Sequence, residues 1–204
     1  MGRLILGALL TGLAAAAPAS DAEALGRIRS LMQAQPRLRA DFEQTKRMAD
    51  LQQPMVASGR MLVWGEAGVL WEIERPVKMA IALREDTTVQ VDAEGRRRTR
   101  RAADDAAAAR IGRVLRALLH GDIPALEQWF QIAARLDGAR WTIQLTPRKG
   151  PMAAFLASMQ VSGERHVEQV AIDETSGDAT RIRFRNHRDA APLSEHERGL
   201  LGVP

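Results

Sequence analysis

At 204 residues with 46% apolar content, the chain is long enough for one domain with a substantial core and short for two. A formal net charge of +4 is too mild to indicate nucleic-acid binding, and the absence of cysteine excludes disulfides, thiol catalysis and thiolate metal sites. With four tryptophans and no tyrosine, the placement of each tryptophan is informative.

The first twenty residues, MGRLILGALLTGLAAAAPAS, place Arg3 ahead of an apolar run at 4–17. Ala17-Pro18-Ala19 follows with small residues at cleavage spacing. This is the pattern of a secretory signal peptide over 1–19, and the run is short for a bilayer span. Cleavage after Ala19 is preferred, because cleavage after Ala17 would leave Pro18 in the disfavoured next position. The alternative is a buried alanine-rich helix. No cysteine follows, so a lipidated N-terminal cysteine is excluded. A single domain over 20–204, exported and without disulfides, must be held by core burial, which points to the bacterial periplasm.

Residues 21–35 space Leu25, Ile28, Leu31 and Met32 along one helical face, with Asp21 as N-cap and Pro36 as stop. Leu38, Ala40 and Phe42 then alternate with polar residues, which predicts a half-buried strand. GRMLVW and VLWEIE flank a turn at 65–68 and form a hairpin. In its second arm Val69, Trp71 and Ile73 share one face. VKMAIALRE repeats the alternation at Met79, Ile81 and Leu83, and TTVQV adds Val89 and Val91. The run at 96–101 holds five arginines in six residues. Residues 104–119 read as an amphipathic helix with Ile111, Val114, Leu115 and Leu118 on its apolar stripe. Pro124 opens a short helical piece. FQIAARLD and ARWTIQLTPR alternate as strands, and Trp141, Ile143 and Leu145 share a face. PMAAFLASM is read as an apolar link of one or two helical turns. RHVEQVAIDE and ATRIRFRN are two more strands around a Ser176-Gly177 turn, and the tail from 193 is a brief helix. Strands and helices do not alternate regularly, so a parallel sheet is not expected.

Catalytic signatures are missing. There is no glycine-rich phosphate loop, HExxH or GxSxG, and no cluster of metal ligands. His120, His166, His187 and His196 are scattered and are read as surface residues. Asp104-Asp105 is read as helix capping, and Glu72 with Glu74 as a solvated strand face. No cofactor and no nucleic-acid partner are expected. The arginine run contacts anionic headgroups or an acidic partner through Arg97, Arg98 and Arg100, or it is a charged hairpin loop.

Taken in order, these segments resemble the LolA-type outer-membrane lipoprotein carriers. The resemblance is carried by F-x-Q-x-K at Phe42, Gln44 and Lys46, by SGRMLVW at 58–64, and by W-x-x-x-x-P from Trp71 to Pro76. WTIQLTPRKG at 141–150 and the strands ending near Phe184 extend it over about residues 25–186. It implies a mainly β fold with α, an incomplete antiparallel β-barrel covered by a helical lid, with an apolar cavity between them. Trp71 matches the family's inward-facing tryptophan. Phe42, Ile73, Met79, Ile81, Leu83, Val89 and Val91 are then expected in the cavity wall, with Trp141 and Ile143 opposite. Ile111, Leu115 and Leu118 would face it from the lid, and Trp64 is a rim or packing residue. The other reading of Trp71 is a filled core.

The turn Gly65-Glu66-Ala67-Gly68 departs from the pattern, since the well-known carriers hold a basic residue there that ties barrel to lid. It suggests a divergent branch, whose members accompany inner-membrane lipid or pigment exporters. The resemblance implies a monomeric periplasmic carrier for acylated lipoprotein or glycolipid, loaded by an inner-membrane exporter and unloaded to an outer-membrane acceptor. A lipid-sensing or regulatory protein on the same fold is the alternative, and a hydrolase with an unrecognised site is a third reading.

Overall fold

The computed structural model describes residues 21–33, 37–101, 104, 113, 114, 117, 118 and 122–204. The signal-peptide segment, and with it residues 1–19, lies outside them, as do Ile111, Leu115 and His120. Helix α1 spans Asp21–Gln33. Six strands follow: β1 (Arg37–Arg47), β2 (Met55–Trp64), β3 (Gly68–Arg75), β4 (Met79–Leu83), β5 (Thr87–Val91) and β6 (Arg97–Arg101). After the short helix α2 (Ile123–Glu127) come β7 (Phe130–Asp137), β8 (Arg140–Pro147), β9 (Leu156–Gly163), β10 (Val167–Glu174), β11 (Ala179–Asp189) and helix α3 (Glu195–Leu201).

All eleven strands form one antiparallel sheet in the order β6-β5-β4-β3-β2-β1-β11-β10-β9-β8-β7. Two meanders are joined where β1 pairs with β11, and Phe42 stands opposite Phe184. Strands β6 and β7 lie at the two ends of this order, so the sheet is open. Residues from both halves nevertheless meet in one apolar cluster. Phe42, Val69 and Trp71 pack there with Phe130, Trp141 and Ile143, together with Ala24 and Ile28 of α1. The sheet therefore curls around this inner face, as in a barrel that stops short of closure.

The outer face of β2–β5 carries a second, smaller cluster. Leu62, Leu70, Ala80, Ala82 and Val89 pack under Leu193, Leu200 and Leu201 of the C-terminal segment. This is why β2 and β3 read as nearly continuous apolar runs: both of their faces are covered. Towards the end of β3, Ile73 opposes Gly59 beside a register shift. A Cβ at Gly59 would sit 1.8 Å from the Glu72 carbonyl oxygen, so a larger residue there would force the two backbones apart.

Two segments differ from the sequence expectation. LASM, the end of the stretch read as a helical link, opens strand β9. Its pairing with β10 slips between Asp173 and Glu174, which puts Leu156 out of alternation with Met159 and Val161 and hides the period of two. The arginine run, read as a loop, is strand β6, exposed at every position and made a strand by its ladder with β5.

Candidate functional site

Cross-strand register sorts the first meander into two faces. On the inner face one row runs Met61, Trp71, Ile81, Gln90, Arg98, from β2 to β6. The neighbouring row runs Val63, Val69, Leu83, Thr88, Arg100. Each begins in buried apolar residues, passes through half-buried Ile81 or Leu83, becomes polar at β5 and ends on an exposed arginine. Ile73 and Met79 pair in a third, shorter row, and the Gln90 side-chain amide donates to the Met79 thioether at 3.3 Å.

Trp71 is 9% exposed and sits where the two halves of the sheet join. Its ring lies 4.1 Å from that of Phe42, and Phe184 presents an edge to it at 5.8 Å. Such tilted and edge-on contacts suit the ring quadrupoles. Phe184 was not among the expected site residues, although its alternation with Ile182 in RIRFR placed it on an apolar parity. Trp141 is fully buried, and its indole N–H donates to the Glu164 carbonyl at 2.8 Å. Ile143 and Leu118 are likewise buried in the inner cluster, as are Val114 and Ala117 beside Leu118.

Val89 and Val91, expected in the same wall, lie on the outer face. They pair with Ala82 and Ala80, while Thr88 and Gln90 stand opposite Leu83 and Ile81. The connection at 84–86 sets this register, and a shift of one residue exchanges the two faces of a strand. Arg97, expected to meet anionic headgroups or an acidic partner, lies on the same outer face. It stands opposite Val91, and its guanidinium reaches the Gly199 carbonyl at 3.4 Å on the outer side. Trp64 also faces outward, packed against the smaller cluster with the Arg37 guanidinium 4.4 Å above its ring.

The C-terminal helix is fastened to the outer face by charge. Ser194 and Glu197 form a reciprocal capping box. Arg39 of β1 grips the Glu197 carboxylate with both terminal nitrogens. That bidentate bond, with help from the Ser194 amide, outweighs burial and holds the Glu197 carboxyl at a pKa of about 2. At the other end the Arg84 side chain donates to the Leu200 carbonyl at 2.8 Å and to the Gly199 carbonyl at 3.0 Å, and Gly202 closes the helix at φ 72°.

The histidines are not all scattered. His166 and His187 stack with centroids 4.6 Å apart and planes 4° from parallel. The His187 Nε2 meets the Val167 carbonyl at 2.9 Å. Burial, and then its neighbour's charge, push the His166 pKa down. Among the described residues no group of three or more His, Cys, Asp or Glu is placed to hold a metal ion. A cleft of about 450 Å³ on the charged outer side is lined by Arg60, Arg75, Arg183 and Arg185 with Asp41, Glu43 and Glu74. Within it Arg60 pairs with Glu74 at 2.9 Å, and Arg188 reaches Asp41 at 3.4 Å from outside the lining. No helix among the described residues is long and apolar enough to cross a membrane.

Residues 35–197, well over half of the chain, match the family model described as outer membrane lipoprotein carrier protein LolA. Several solved structures resemble the fold at low identity. A LolA-superfamily protein of Nitrosomonas europaea superposes with a TM-score of 0.48 at 9% identity, covering 87% of this chain and 96% of that one. A putative outer membrane lipoprotein-sorting protein domain of Vibrio parahaemolyticus gives 0.49 at 10% identity, with coverage of 87% and 96%. The MucA/MucB complex of Pseudomonas aeruginosa gives 0.43 at 13% identity, covering 84% of this chain and 58% of the other. No curated protein sequence matches the chain.

Proposed function

The chain belongs to the LolA family of outer membrane lipoprotein carrier proteins, and from that premise we propose that it carries acyl chains through the periplasm on the inner face of its open sheet. The observation that carries the reading is the gradient along that face. Trp71, Phe42 and Phe184 form its aromatic floor, and the half-buried Ile73, Ile81 and Leu83 continue it towards the β6 edge. An open sheet of this kind can part from the helices over it, whereas a closed barrel filled by side chains cannot. Residues 104–119 act as the lid, and the described Val114 and Leu118 lie against the same cluster.

Each methylene taken from water contributes roughly 0.8 kcal/mol, so a few acyl chains bind tightly. Release then needs an acceptor with competing affinity. The binding step needs no bond made or broken and hence no catalytic group. In this reading residues 1–19 direct export, residues 20–204 act as one monomeric domain, an inner-membrane exporter loads the cargo, and an outer-membrane component takes it. The cargo is an acylated lipoprotein or a glycolipid. The test is transfer of a fluorescent long-chain lipid from loaded protein to acceptor vesicles, with Trp71→Ala beside the parent. The carrier reading expects saturable binding, vesicle-dependent transfer and weaker loading of the variant. Retention without transfer would favour a sensor on the same fold, and hydrolysis of the probe an enzyme.

A further inference from the structure

Resting on the carrier reading, we propose that the cargo is an anionic acyl lipid, whose phosphate or carboxylate head is held by Arg98 and Arg100 while its chains lie across Leu83 and Ile81 towards Trp71. The register is the foundation. Arg98 and Arg100 end the two inner-face rows that contain Ile81 and Leu83, while Arg97, Thr99 and Arg101 point to the other face. The strand thus divides its arginines between the two faces, and the inner pair ends the rows that lead through Gln90 and Thr88 to the apolar floor.

Alternate residues on a strand stand roughly 7 Å apart, so two guanidinium groups can converge on one head. Guanidinium forks match the oxygens of phosphate and carboxylate and hold them by paired, charge-assisted bonds. From β3 to β6 is three strand spacings, about 14 Å, a span that a long acyl chain covers when extended. Between the two ends, Gln90 and Thr88 offer neutral hydrogen-bonding groups that suit the linkage between head and chains. A purely protective edge strand, charged to discourage pairing with another sheet, gives both faces the same role.

The experiment compares two probes with identical fluorescent acyl chains, a phosphatidylglycerol and a diacylglycerol that lacks the phosphate, on delipidated protein at physiological ionic strength. The parent should prefer the anionic probe by about 10-fold, the scale of one charge-assisted pair. R98Q/R100Q should bind both probes alike, at the parent's affinity for the neutral one, and R97Q/R101Q should keep the preference. Equal loss in both double variants would mean general attraction to positive charge and overturn the assignment. So would a parent that does not discriminate while still binding the neutral probe, an outcome that leaves the carrier reading standing. Failure of both probes to bind would remove the carrier reading as well. Inorganic phosphate should displace the anionic probe no better than chloride of equal ionic strength. Efficient displacement would mark a free-anion site and contradict the lipid assignment.

Discussion

The two faces of β2–β5 are built from the same strands and differ in what covers them. The outer face is sealed by the chain's own C-terminal segment, with Leu70 and Val89 wholly buried. Arg39–Glu197 and the Arg84 bonds fix the cover at both ends. The inner face is graded from the aromatic contacts of Trp71 to half-buried aliphatics and then to charge. One face is finished packing that serves stability; the other keeps apolar surface within reach of a ligand. The contrast teaches that burial alone does not mark a site, and that an apolar face running out into polar edge positions is more informative than its most buried residue.

Substitutions should separate the two faces. The largest stability effect is expected from Leu70→Ala, which empties a fully buried outer-face position. It should cost about 2–5 kcal/mol by urea denaturation, while acyl affinity of the folded fraction stays unchanged. A matching loss of affinity would mean that the faces are not independent.

Acid should act on the outer face next. The Glu197 carboxyl falls from 4.5 to about 2 on folding, so its contribution is complete above pH 4.5 and is lost as pH drops towards 2. The difference corresponds to at most about 3 kcal/mol. A Glu197→Gln variant should be less stable at neutral pH and should show a flatter acid limb. An identical acid limb in both proteins would place the acid-sensitive group elsewhere.

Trp71→Phe keeps an aromatic against Phe42 and Phe184, so its stability loss should stay below about 2 kcal/mol. Its effect belongs in lipid affinity, read by titration with a fluorescent fatty acid. The smallest change is expected from Arg97→Gln. It removes one exposed contact to the Gly199 carbonyl and should move stability by less than about 0.5 kcal/mol. A larger thermal shift would show that β6 helps to hold the C-terminal helix.

Much of this arrangement is legible in the residues. Alternation in LRADF and VLWEIE places Phe42 and Trp71, whereas the unbroken apolar run from Met61 to Trp64 hides the parity that puts Trp64 on the other face. What alternation cannot supply is the phase between strands. Val89 and Val91 look like natural extensions of Ile81 and Leu83, yet the link at 84–86 reverses their face. Strand β9 was hidden by its slip, and β6 because it has no apolar residue from which to read a period. The stacked His166, in the bend before β10, and His187 of β11 are far apart in the chain, and only the sheet brings them together. The aromatic partner Phe184 needed the pairing of β1 with β11, the strand pairing most distant along the chain.

The most direct test is extraction of lipid from protein purified under native conditions from the periplasm, with Leu70→Ala and Trp71→Ala beside the parent. The account predicts acyl lipid in near-equimolar amount with the parent and with folded Leu70→Ala, and little with Trp71→Ala. Lipid-free parent protein that also fails to take up a fluorescent fatty acid would show that the inner face is a filled core and contradict the account.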